Sequence, residues 1–351
     1  MSTMANYWVA RGQEVALITL ASKETDFYPL HPEVKRIGLG LMAPSAHPWD
    51  TLRNTLHRLK RLRQELRSSR PDVVISFLDV MNMLTVLAAF GLGVPVIISE
   101  RTNPRKSRIG WFRGMLRRLL YPRADAVIVL TEGIRRWAEQ FVRRKAVYVI
   151  PNPVALPAHK FDRATYPLCT GRTIMAMGRL GPEKGFDLLI RAFGQCAAKY
   201  TDCSLVIAGE GREREQLMAL VRKLGIAGRV SLPGLVKDPT ELFLRADLFV
   251  LSSRYEGFPN ALLEAMACGL PVISFDCSPG PREIIRDGVD GVLVPPEDVQ
   301  ALATAMGRLV SDEAERKRLA SRAVEVAERF GVEKVMGMWE AFLEQVLRRR
   351  L

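Results

Sequence analysis

The sequence predicts an α/β protein made of two parallel-sheet halves, and three observations carry that prediction. Short apolar runs of strand length recur along the 351 residues, helix-length stretches separate them, and a proline-rich segment breaks the alternation near the middle. In the first half the runs fall at residues 15–20, 73–77, 94–99, 126–130 and 147–150. In the second they fall at 173–177, 205–208, 230–232, 248–251, 272–275 and 291–294. Unbroken apolar runs, rather than alternating ones, imply strands buried on both faces, and the helical stretches between them imply right-handed crossovers.

The remaining elements follow in order. Pro151, Pro153 and Pro157 deny a regular element, so 151–158 is expected to be an extended linker between a first domain (1–150) and a second (159–334). Residues 335–351 read as a closing helix.

Composition fits a folded protein: hydrophobic residues make up 48% and charged residues 25%, and the length suffices for two cores. The five cysteines are odd in number and lack zinc-type spacing, so the expectation is a reduced, cytoplasmic protein; no cofactor is expected. The most apolar region, 73–98, is interrupted by Asp79, Asn82 and two glycines and reads as strand, helix and strand rather than a membrane span. The N-terminus lacks the pattern of a signal peptide.

The net charge of +13 is unevenly placed: residues 1–150 hold 24 Lys+Arg against 12 Asp+Glu, leaving 27 against 26 in the rest. Two segments carry much of the excess. Residues 52–70, bounded by Leu52 and Arg70, have seven basic residues and one acid; residues 101–123, bounded by Arg101 and Arg123, have eight and none. In the second, Trp111, Phe112, Met115, Leu116, Leu119 and Leu120 fall on one helical face, with Arg113, Arg117 and Arg118 elsewhere. That pattern suits an anionic membrane surface; it also suits a core-packed helix with a solvated outer side. No nucleic-acid motif accompanies the charge.

The segment from Glu256 through Gly257, Phe258, Pro259 and Asn260 to Glu264 sets two carboxylates eight positions apart where a loop becomes a helix. Ala261 and the residues after it are strong helix formers, and Gly269 and Pro271 end the helix before the next run. Glu256 should lie just before the helix and Glu264 about two turns inside it. Carboxylates accept paired bonds from vicinal diols, so two of them here suit a nucleotide-sugar; a capping acid and a structural Glu are the other reading. After the run at 173–177 comes Gly178-Arg179-Leu180-Gly181-Pro182-Glu183-Lys184-Gly185. Arg179 and Lys184 stand on a glycine-rich loop at a strand's carboxyl end, where open α/β sheets bind ligands, and together they match a diphosphate. Alternatively Arg179 pairs with Glu183 and Lys184 is merely solvated.

Taken in order, Gly178-Arg179-Leu180, Glu183-Lys184-Gly185, Gly209 with Gly211, Gly234, Glu256 to Glu264 with Pro271, and Gly288 with Gly291 and Pro295 resemble the retaining glycosyltransferases of family 4, over nearly the whole chain. The resemblance implies the GT-B fold, two Rossmann-like domains facing across a cleft, with the closing helix crossing back to the first. It implies that Arg179 and Lys184 neutralise a donor diphosphate, that Glu264 binds the ribose, and that Glu256 with the backbone of Gly257 and Phe258 holds the donor sugar. Pro259 has no amide hydrogen to offer. It further implies a UDP-sugar donor bound on the second domain, same-face attack with retention, and no metal, since the chain has no Asp-x-Asp segment.

Two departures stand out. Family members begin with a strand and a glycine-rich loop before the first helix, and this chain opens inside that helix; a sheet missing its first strand is expected, as is a truncated start. And where many members carry a His after the run at 94–99, this chain has Ser99-Glu100-Arg101, resembling a subgroup that assembles bacterial surface polysaccharides and lipid-linked oligosaccharides, N-acetylgalactosamine transferases included. Glu100 and Arg101 are acceptor-side candidates; Glu100 faces substrate or pairs with Arg101. The resemblance points to a saccharide or polyprenyl-linked acceptor and a peripheral place on the inner face of the cytoplasmic membrane. A sugar-nucleotide epimerase and a non-catalytic scaffold of the same fold are the rival readings.

Overall fold

A computed structural model describes residues 1–42, 47–102, 110–156, 171–277 and 279–348. The chain divides into two compact units, Met1–Ile150 with Met336–Leu351, and Pro151–Val335.

Unit 1 runs α1 (Ser2–Val9), β1 (Ala16–Thr19), β2 (Lys35–Gly38), α2 (Pro48–Ser69), β3 (Val74–Phe77), α3 (Asp79–Ala89), β4 (Val96–Glu100), α4 (Trp111–Leu120), β5 (Ala126–Val129), α5 (Glu132–Ala138) and β6 (Val147–Val149). Its strands form two parallel sheets, β1-β2 and β3-β4-β5-β6. β4 and β5 are buried throughout, as apolar runs in a parallel sheet should be. β1 and β3 are only partly buried, because each is an edge. Among the described residues no strand joins them, so the interrupted sheet expected from the sequence is present. β2 has no apolar run to announce it. Its Arg36 binds both carboxylate oxygens of Asp26 at 2.6 Å and the Thr19 hydroxyl at 2.7 Å, which holds a charged residue on a short strand. A main core lies between β3–β6 and helices α2 to α5, with a smaller cluster of Ala5, Val9 and Val34 under α1.

Unit 2 runs β7 (Arg172–Met177), α6 (Phe186–Lys199), β8 (Cys203–Ala208), α7 (Arg214–Lys223), β9 (Val230–Gly234), α8 (Thr240–Arg245), β10 (Leu248–Leu251), α9 (Asn260–Ala267), β11 (Val272–Phe275), α10 (Gly280–Ile284), β12 (Val292–Val294), α11 (Val299–Ser311), α12 (Glu313–Ala323) and α13 (Val326–Phe330). Its six strands are all parallel, in the order β12-β11-β10-β7-β8-β9. The chain therefore winds one way from β7 to β9 and the other way from β10 to β12. The exit loops of β7 and β10, on neighbouring strands, part to opposite faces and leave a crevice at the carboxyl ends.

The last helix, α14 (Val332–Arg348), begins in unit 2, and from Met336 onward it belongs to unit 1. There Trp339 meets Trp8 of α1 edge-on at 6.2 Å, and Phe342 meets Tyr148 of β6 at 4.7 Å. The buried rings of Trp339 and Phe342, set against the partly buried Trp8 and Tyr148, hold the helix on its unit.

Several sequence expectations fall partly outside the described residues: 157 and 158 of the linker, 103–109 of the basic segment, Cys169, His159, Ser278 and the last three residues.

Candidate functional site

The crevice of unit 2 is built by four loops pressed together backbone to backbone. Gly178 N donates to Ala208 O at 3.0 Å, Leu180 N to Glu210 O at 2.8 Å, and Gly209 N to Gly234 O at 2.8 Å. A side chain on Gly209 would start 1.9 Å from the Gly178 carbonyl, and one on Gly185 would start 2.1 Å from the Ser252 carbonyl. Gly185 also sits at φ +60, turning the chain from the Pro182–Lys184 3-10 turn into α6. Bare backbone at these points lets the exit loops of β7, β8, β9 and β10 close on one another.

That closure joins residues far apart in sequence. The Lys184 ammonium lies 2.6 Å from the Glu256 carboxylate, and the Ser253 hydroxyl donates to the same oxygen at 2.7 Å. Ser252 donates to the Lys184 carbonyl at 2.9 Å, fixing the loop that carries the cation. Both members of the pair are mostly buried, so their charges interact with little screening. Arg179 instead points to solvent, its side chain 77% exposed, and pairs with Glu183 at 2.7 Å. It stands on the same loop as Lys184 and is free to swing once an anion competes for it.

Glu256 precedes α9, whose first residue is Asn260. The boundary residue Pro259 gives no side-chain cap, so the first amides of α9 have no partner within the helix. The Asn260 side chain is taken up by Asn152, at 2.7 Å. Phe258 is buried with its ring 5.4 Å from that of Phe330, which leaves only its backbone for a ligand. Gly257 is buried too, and α10 crowds it: a side chain on Gly280 would reach within 3.0 Å of the Gly257 carbonyl. Glu264 lies in the second turn of α9, nearer the helix start than the sequence indicated. Burial pushes its carboxyl up to about 7, and the Asp238 charge adds to the effect. Cys277 is buried, and burial with the Glu256 charge pushes its thiol up to about 12.

Sequence reasoning put Arg179 and Lys184 on the loop at a strand's carboxyl end, Glu256 just before a helix and Glu264 inside it, but missed three contributors. Ser253 carries a usable signal, a hydroxyl next to a strand end and three positions before a Glu. Asp238 and Gly280 carry no local signal; only the fold brings them in.

The unit 1 candidates are placed differently. Glu100, the last residue of β4, is fully buried. The Tyr121 hydroxyl donates to it at 2.9 Å and the Thr102 hydroxyl at 2.8 Å, while the Arg117 guanidinium stands 3.8 Å away. Burial pushes its pKa up against the pull of these partners. Asn82 donates to the Tyr121 oxygen at 3.3 Å and to the Ser99 carbonyl at 3.0 Å, extending the network. Arg101 lies over the Phe77 ring at 4.8 Å, and burial lowers its pKa to about 9. Arg117, which helical spacing places off the apolar face of its helix, is buried with its guanidinium 4.5 Å from the Trp137 ring centre.

Residues 1–153 match the family described as Glycosyl transferase 4-like domain, and residues 162–326 the family described as Glycosyl transferases group 1. An exopolysaccharide phosphotransferase of Streptomyces coelicolor is 34% identical over 82% of this chain, which spans 30% of that protein's length. A Campylobacter jejuni alpha-1,4-N-acetyl-D-galactosaminyltransferase, named for its undecaprenol-diphosphate-linked acceptor, is 31% identical over 98% of this chain and 93% of its own. Among solved structures, sucrose-phosphate synthase from Thermosynechococcus elongatus superposes with a TM-score of 0.83 at 20% identity, over 99% of this chain and 92% of that one, a likeness of fold. The chain therefore belongs to the glycosyltransferases, with the GT-B fold.

Proposed function

We propose that the protein moves a sugar from a UDP-sugar to a polyprenyl-diphosphate-linked or polysaccharide acceptor, with retention and without a metal. The Lys184–Glu256 pair at the β7/β10 switch point carries the reading. A donor diphosphate entering the crevice competes for the Lys184 ammonium and draws Arg179 from Glu183, as charge-assisted bonds to phosphate are strong. Glu256 is then released toward the hydroxyls of the donor sugar, with the backbone of Gly257 and Phe258 beside it. Glu264, one turn further into α9, faces the ribose diol.

The chemistry follows from this placement. The bond between the anomeric carbon and the diphosphate breaks, and the two cations and the α9 amides stabilise the charge that grows on the leaving oxygen. The acceptor oxygen bonds the same carbon from the same face, and its proton passes to the departing diphosphate. N-acetylgalactosamine and other hexoses are the candidate donor sugars, the first because of the Campylobacter relative's activity. Unit 1 recognises the acceptor, and a lipid-linked acceptor places the enzyme peripherally on the inner face of the cytoplasmic membrane. Among the described residues no helix is long and apolar enough to cross a membrane.

Thermal-shift measurement against a panel of nucleotide-sugars, followed by UDP release with and without a lipid-linked acceptor, tests the reading. UDP-sugars should raise the melting temperature, release should require the acceptor, and Lys184→Ala should slow transfer by about 100-fold. Equal release without acceptor, or stabilisation by other nucleotide-sugars alone, sinks it.

A further inference from the structure

A helix at a protein surface normally turns its apolar stripe inward. α4 does the reverse. Trp111 is 80% exposed, Phe112 57%, Met115 52% and Leu119 52%, while the inward side holds Leu120 and the charged Arg117. At about 100° per residue the four outward side chains fall within about 100° of arc, one continuous stripe. Arg118 borders the stripe and Arg113 lies further round; both are exposed.

The first turns of α2 repeat the arrangement. Trp49 is 79% exposed, Leu52 49% and Leu56 56%, within about 60° of arc, with exposed Arg53 and Lys60 alongside. α3 packs against both α2 and α4, and Arg63 of α2 donates to the Ala88 and Phe90 carbonyls at its end, both at 2.7 Å. α3 follows β3 directly, with Leu78 47% exposed at its start, and the two outward stripes lie on the helices that flank it.

Aromatic and aliphatic side chains turned outward, with cations at their margin and no acid on either stripe, are complementary to a bilayer interface with anionic headgroups. We propose that unit 1 docks on an anionic bilayer by inserting the α4 stripe, Trp111, Phe112, Met115 and Leu119, into the headgroup–acyl boundary, with the Trp49–Leu52–Leu56 stripe of α2 as a second foot. Binding is then hydrophobic in its final stage and only steered by charge. The proposal rests on the reading that the acceptor is lipid-linked.

Flotation of the full chain with phosphatidylglycerol–phosphatidylethanolamine vesicles, without donor or acceptor, tests docking apart from transfer. Wild-type protein should float, its tryptophan emission should shift to shorter wavelength, and brominated acyl chains should quench a component that Trp111→Phe removes. The combined Phe112→Ser, Met115→Ser and Leu119→Ser variant should partition at least tenfold more weakly while keeping the wild-type circular-dichroism melt, since all three are solvent-facing. Arg113→Glu with Arg118→Glu should weaken binding mainly at low salt. Undiminished flotation of the serine variant, absence of quenching, or complete release by salt overturns the proposal. So does a lipid-free dimer that the serine variant dissociates, which would give the stripe to a second copy. Vesicle binding without any sugar transfer would leave docking intact and count against the transferase reading alone.

Discussion

Glu264 has a cost written into its position. An acid whose folded pKa lies above its unfolded value stabilises the fold while protonated, so its contribution is complete below its ordinary 4.5 and is lost as the pH rises through about 7. The shift corresponds to on the order of 3 kcal/mol. The ligand-free protein should therefore melt progressively lower between about pH 5 and pH 8, and Glu264→Gln should flatten that slope and melt higher at the alkaline end. A slope unchanged in the variant removes Glu264 as its source. The Lys184–Glu256 contact is the residue-scale fact least visible in sequence. Each residue was identifiable from its loop, but they lie 72 positions apart, and only the adjacency of β7 and β10 joins them. Glu100 shows the opposite limit: its type and place at a strand end suited a substrate contact, and burial made it an internal partner of Tyr121 and Arg117.

At the scale of elements, the apolar runs disclosed every strand except β2, whose Lys35, Arg36 and Gly38 give no run to detect. Periodicity found the amphipathic stripe of α4 but not its direction, because spacing says which residues share a side and nothing about which side meets the core. Here the inward side is taken by Arg117, whose charge is compensated by Glu100 and the Trp137 ring. That compensation ties β4 to α4 and makes Glu100 a structural joint. Removing it strands a buried cation, so Glu100→Ala should cost about 3–5 kcal/mol in urea unfolding, and Glu100→Gln less, because the amide still accepts from Tyr121. A loss below about 1 kcal/mol in the alanine variant would dissolve the joint.

For the molecule as a whole, the divided sheet of unit 1 sets the pattern of stability. β1 and β3 each keep one side without a strand partner among the described residues, whereas β4 and β5 are paired on both sides and sealed. Hydrogen exchange should separate accordingly, with β1 and β2 amides opening at lower free energy than those of β4, β5 and the central strands of unit 2; one uniform class would contradict this. Among the described residues the small cluster under α1, with Val15 and Leu17 of the β1 region, shares no member with the larger core, against which Ile18 and Leu20 pack instead. That corner can melt as a foldon of its own while the rest stays native. A protease offered the native enzyme should then make its first cuts among residues 20–34, and nicked chains should accumulate before any global unfolding is detectable.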